Sequence, residues 1–134
     1  MLFRSRPQTR VAVILFDNET ARPDVSRLSQ GLTDATVFAL TAQPKLAVIG
    51  NAAILRTARP FRDIVAVRDA LQADYIVIGQ VQTRDEMILV RSHLIRASDQ
   101  AHVWVNVAQM TGGEAALQSE VAGRIAAAVA ARVR

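Results

Sequence analysis

The sequence predicts a mixed α/β domain, a five-stranded sheet with helices packed on it in the order β-α-β-α-β-β-β-α. Three observations predict it. Short, continuously apolar, β-branched runs alternate with helical periodicities through the first half of the chain. Beyond Gly79 the apolar pattern becomes alternating, as in strands with one wet face. The chain then closes on an Ala-rich stretch of helical period.

The first strand is "VAVILF", residues 11–16, apolar enough for cover on both faces. "DNETARPD" follows as loop, and Pro23 with Asp24 or Ser26 opens a helix. In that helix Val25, Leu28, Leu32, Ala35, Ala39 and Leu40 recur at helical spacing, and Gly31 marks close packing. Pro44 breaks it, and residues 46–49 form the second buried strand. Residues 61–71 read as the second helix, with Ile64, Val67, Arg68 and Leu71 on one side. "ADYIVIGQVQTRDE" starts the third strand, which leaves cover or bends at a bulge near Gly79. Residues 87–95 and 102–107 are the last two strands, with "TRDE" and "ASDQ" as turns. Strict alternation puts Val103, Val105 and Val107 on one face and His102, Trp104 and Asn106 on the other. Thr111 and Glu114 have capping-box spacing before a helix that places Leu117, Val121, Ile125 and Ala128 on one stripe. Helical connections make the first three strands parallel, and short turns make the last three antiparallel.

The chain of 134 residues fits one domain. Residues 1–9 read as a flexible basic lead-in and 10–134 as the domain. No cysteine is present, which excludes disulfides, thiol nucleophiles and thiolate metal sites while leaving the compartment open. No segment reaches the roughly 18 apolar residues of a membrane span. The net charge is +4 and the pI about 10.9, and every basic residue except Lys45 is arginine. Acids interleave with the arginines, as in Arg62/Asp63, Arg68/Asp69 and Arg84/Asp85. A surface mixed in this way lacks the concentrated positive face of a phosphate-tracking protein, so nucleic acid is not an expected partner.

Chemistry is sparse. Asp17 and Asn18 end the first strand, and Gly50 and Asn51 end the second. At the carboxyl edge of an α/β sheet these four form a candidate ligand crevice. The loop has three acids, no glycine and no phosphate-binding motif, and Asp17 and Asn18 also suit simple turn bonds. His93 and His102 face each other across the last hairpin without a third ligand, so no metal or cofactor is expected. Asp85 and Glu86 read as tip charges, and Ser26, Ser29 and Ser92 lack a histidine–acid partner pattern. The sequence makes no case for an enzyme. Either the last helix covers the face of His102, Trp104 and Asn106, or the three form a candidate interaction surface, since a large aromatic on a sheet is a typical anchor for partners.

The segments "RVAVILFDNET", "LSQGLTDATVFALTAQPKLAVIGNAAIL", "LQADYIVIGQVQ" and "LVRSHLIRASDQAHVWV", with the closing Ala-rich helix, resemble the bacterial module similar to the TolB amino-terminal domain, whose relatives look like the envelope lipoproteins FlgO and LpoB. The resemblance covers about residues 10–132. It implies a non-catalytic regulatory or protein-interaction domain of a larger signalling protein, set between a nucleotide cyclase or winged-helix domain and a tetratricopeptide array. It carries no catalytic residue over. Departures fall in residues 19–23, where the family has a Ser-Gly-Asp-like loop, at Leu28, where it has an aromatic, and after Trp104. The expected partners are another protein or adjacent domains, or a second copy through a sheet edge. A ligand-sensing domain and an envelope accessory protein stand as alternatives.

Overall fold

The computed structural model describes residues 8–50 and 63–133. In chain order its elements are β1 (Thr9–Val13), β2 (Asp17–Asn18), a 3-10 turn (Pro23–Val25), α1 (Ser26–Thr41), β3 (Leu46–Gly50), α2 (Ile64–Leu71), β4 (Tyr75–Arg84), β5 (Met87–Arg96), β6 (Ala101–Gln109) and α3 (Glu114–Ala130). The strands lie in the order β3-β1-β4-β5-β6, with β2 beside β4. β1 pairs in parallel with β3 and β4, as helical crossovers require, and β4, β5 and β6 are antiparallel. The five long strands follow the expected plan. The two-residue β2 is additional: Asp17 and Asn18, expected in a loop, pair with Gln80 and Val81.

Both faces of the central strands are covered, which is why their sequences are continuously apolar. On one face Val11, Val13, Phe16, Val77 and Leu94 pack under Leu28 and Leu32 of α1 and Val121 and Ile125 of α3. On the other, Ala12, Ile14, Ile76 and Ile95 pack against Val67 of α2. That helix is short, and the outer halves of β4, β5 and β6 extend beyond this second cluster.

Three local expectations are corrected. β4 runs in unbroken register with β5 from Tyr75 to Arg84, so Gly79 marks no bulge, although the strand does lose cover beyond it, ending exposed at Thr83 and Arg84. A Cβ there would overlap the Phe16 ring, whose Cζ would stand 2.8 Å away. The irregularity lies instead in β6. Leu94 pairs with Trp104 and Ile95 with His102, leaving Val103 as the extra residue of a bulge. Thr111 does not cap α3. The helix starts at Glu114 behind Gly113, and Glu114 lies in the first turn, where a carboxylate suits the helix dipole. The buried stripe of α1 also differs, using Ser29, Thr33 and Thr36 where Ala35 and Ala39 were expected. Gly31 does mark close packing, against Gln118 of α3.

Thr33 shows why a polar residue enters that stripe. Its hydroxyl donates to the Ser29 carbonyl (2.8 Å) and accepts the Phe16 N–H (2.9 Å), holding the segment after β1 onto α1. Ser29 and Ser92 have no such use. Both are buried and their hydroxyls have no hydrogen-bond partner. Removing an unsatisfied buried hydroxyl relieves its desolvation cost. Ser92→Ala is therefore expected to leave stability unchanged or raise it by about 1 kcal/mol in urea denaturation.

Candidate functional site

The loop after β1 is the first place where ligand chemistry was expected. Asn18 organises it from within. Its amide donates to the Arg22 carbonyl (2.8 Å) and the Ser26 hydroxyl (3.3 Å), and its oxygen accepts the Thr20 N–H (2.9 Å). Every polar atom of that side chain is thus engaged in shaping the turn, as an Asx motif does. Within the turn Ala21 has φ 63°, a conformation that costs a residue with a Cβ. Ala21→Gly is expected to raise stability by about 0.5–1 kcal/mol, read as a higher Tm. Gly50 lies elsewhere. It pairs with Val13, and a Cβ on it would stand 2.8 Å from Val37 of α1, so its bareness serves helix packing. Asn51 lies outside the described residues. Asp17 and Asn18 sit beside β4, opposite Gln80 and Val81, while Gly50 sits beside the end of β1, opposite Val13.

The second candidate, His102 with Trp104 and Asn106, is split by the bulge at Val103. Trp104 and Asn106 lie opposite Leu94 and Ser92, beneath α3, and both are half-buried. Arg124 of α3 donates to the Asn106 side-chain oxygen at 3.2 Å. His102 pairs with Ile95 and is exposed on the other face, which also carries Val105 and Val107. These two valines are 50% and 46% exposed. Two signals escaped the sequence reading. Phe38 on α1 is 79% exposed, although the helical pattern gives no reason to expect it. Arg132 donates to the carbonyls of Ala128 (2.9 Å) and Val103 (2.7 Å), so one guanidinium holds both the end of α3 and the bulge residue.

The two histidines meet as expected, ring centroids 5.2 Å apart and edge to face. His93 Nε2 lies 3.0 Å from the Gln80 side-chain oxygen and donates to it. Its Nδ1 therefore accepts, and takes the His102 Nδ1–H at 3.3 Å. Burial, then the nearby His102 and Arg91, hold the His93 pKa below the ordinary histidine value. The unfolded chain binds this proton more readily than the folded one, so stability falls as pH drops through the histidine range. Between about pH 7.5 and pH 5 the Tm is expected to fall, and His93→Gln is expected to reduce that slope. Among the described residues no three metal-ligating side chains come together, and no helix is long and apolar enough to cross a membrane.

The open part of this face continues into a groove of about 450 Å³ lined by Met87, Leu89, Arg91, Val107 and Gln109 with the Arg84–Asp85 tip. Its walls mix apolar and basic groups. Elsewhere arginines engage local acids: Arg22 with Asp24 (2.8 Å), Arg68 with Asp69 (2.9 Å), Arg96 with Asp99 (2.7 Å) and Arg124 with Glu120 (3.1 Å). The Arg96 guanidinium and the Ala101 N–H lower the Asp99 pKa to about 2.

This arrangement is a TolB- and LpoB-like α/β fold. Among solved structures the chain is similar to the PelC dodecamer from Paraburkholderia phytofirmans, with 20% identity and a TM-score of 0.61 over 89% of this chain and 86% of that one. It is also similar to lipoprotein GNA1162 from Neisseria meningitidis, with 14% identity and a TM-score of 0.62 over 92% and 95% of the two chains. TolB from Acinetobacter baumannii matches with 13% identity and a TM-score of 0.60 over 92% of this chain but 28% of that one. No curated protein matches by sequence. Residues 8–127 match the family described as HilA/YgeH-like transcriptional regulator, second domain, and the chain belongs to that family.

Proposed function

We propose that this domain is a non-catalytic, protein-contacting part of a bacterial transcriptional regulator. The observation that carries the reading is the family match across residues 8–127. It favours a transcription-regulator setting over the cyclase and tetratricopeptide settings that the TolB resemblance also implies. The surfaces support contact over small-ligand chemistry. Asn18 is committed to its own turn, whereas Val105, Val107 and the groove beside them offer apolar area rimmed by arginine and histidine. Interfaces are built from such mixtures, with apolar centres and arginine among the enriched residues.

The test is made in cells carrying the parent gene, with a reporter for the promoter it controls. Leu89→Arg with Arg91→Glu changes the groove without touching either core cluster. Reporter output is expected to change while protein level and Tm stay as in the wild type. Unchanged output at equal protein level speaks against a contact role for this face. Turnover of a nucleotide or ester by the purified domain, abolished by a point substitution, would defeat the non-catalytic reading.

A further inference from the structure

We propose that β6 is a self-association edge. Two copies of this chain pair their β6 strands antiparallel about a twofold axis near Asn106, and their α3 helices lie side by side above the junction. The proposal names one partner for the contact role argued above, and it rests on that reading for its biological sense only.

Among the described residues β6 is an edge strand of nine residues. Natural edges are usually blocked by charge, by proline, by shortness or by a bulge. β3, the other edge, is only five residues long and follows Pro44 and Lys45. β6 reads AHVWVNVAQ, with no Lys, Arg, Asp, Glu or Pro. Its one irregularity is the bulge at Val103, which leaves Trp104 to Gln109 in regular register. That stretch is self-complementary. With the axis at Asn106, Val105 of one copy lies opposite Val107 of the other on the same face, and Trp104 lies opposite Ala108. Two half-exposed valines and the rim of the tryptophan are then covered in each copy.

The helix above fits the same symmetry. Gln118 of α3 packs against Gly31 of α1, the Ala126 carbonyl accepts from Gln43 just past the end of α1, and Leu117, Val121 and Ile125 face the core. Helical spacing puts Ala116, Glu120, Arg124, Ala127 and Ala131 on the flank away from α1. All five are exposed, and Arg124 reaches Asn106 on β6. α3 lies over β5 and β6, so pairing the β6 edges sets the two helices about two strand spacings apart, about 10 Å. Small side chains permit that distance. The helices run antiparallel, and Arg124, held on Asn106 near the axis, approaches the Arg124 of the other copy, each neutralised by Glu120 of its own helix at 3.1 Å.

The test is sedimentation of the purified chain from about 1 to about 100 µM, where a weak edge contact changes occupancy. A concentration-dependent dimer is expected. Val105→Lys with Val107→Lys alters exposed positions and is expected to weaken dimerisation at least about tenfold while Tm and circular dichroism hold. Glu120→Arg is expected to weaken it also, and Glu120→Arg with Arg124→Glu to restore it. A monomer at every concentration overturns the proposal and leaves the regulatory reading standing. A dimer indifferent to the lysines and to the charge swap overturns it equally. A reporter unaffected by groove substitutions in a chain that still dimerises counts against the regulatory reading alone.

Discussion

Alanine at Gly79 is expected to cost about 1–3 kcal/mol of stability, the range for overpacking a filled core. The sheet has no slack at this position. Gly79 sits in the middle of β4, and a methyl group built on it overlaps the Phe16 ring. Phe16 is 1% exposed and belongs to the main core cluster, and its N–H is already held by Thr33. The ring is thus fixed from behind while the glycine clears space in front. Phe16→Ala alone is expected to cost about 3–5 kcal/mol, as buried aromatic truncations do. In the double substitution the new methyl enters space that the ring has vacated. The double substitution is then expected to cost less than the sum of the two single losses by about 1 kcal/mol or more, since touching residues couple. Urea denaturation of the four chains measures this directly. Strictly additive losses would show that the ring and the glycine do not meet.

Arg132→Ala carries the second large effect. The guanidinium donates to the last turn of α3 at Ala128 and to Val103 in β6. A charged donor serving a carbonyl contributes about 1.5–3 kcal/mol, and two such bonds depend on this one side chain. A loss of about 2–3 kcal/mol is expected. Lysine is expected to recover only part of it, because a single ammonium lacks the planar fork. Trp104 follows the bulge residue and is the chain's only tryptophan, so its fluorescence reports locally. A shifted emission in Arg132→Ala, at a temperature where the chain remains folded, is the expected sign that the bulge has loosened. Unchanged emission and stability would mean that Arg132 only decorates the surface.

The sequence revealed most where burial dictates pattern. The continuous run at Val11 and the stripe of Leu117, Val121 and Ile125 exist because core positions tolerate only apolar side chains, so periodicity is enough to find them. It failed where one residue answers to a distant one. Gly79 reads locally as a bend or a loss of cover, but its bareness answers to the Phe16 ring, far earlier in the chain. The bulge at Val103 is invisible because every residue nearby suits a strand, and its stabiliser, Arg132, lies at the far end of α3. That single extra residue moved His102 away from Trp104 and Asn106, dividing the candidate surface in two. Asn18 was recognised both as crevice and as turn, and only its hydrogen bonds show which atoms are engaged.

Amide hydrogen exchange along β6 tests the account most directly, because it reads the edge residue by residue. As the chain is concentrated, the alternate amides between Trp104 and Gln109 that face away from β5 are expected to gain protection, while those of β3 stay unchanged. Protection that is independent of concentration in β6, or that appears in β3 instead, would contradict an account in which this domain works through its uncharged edge.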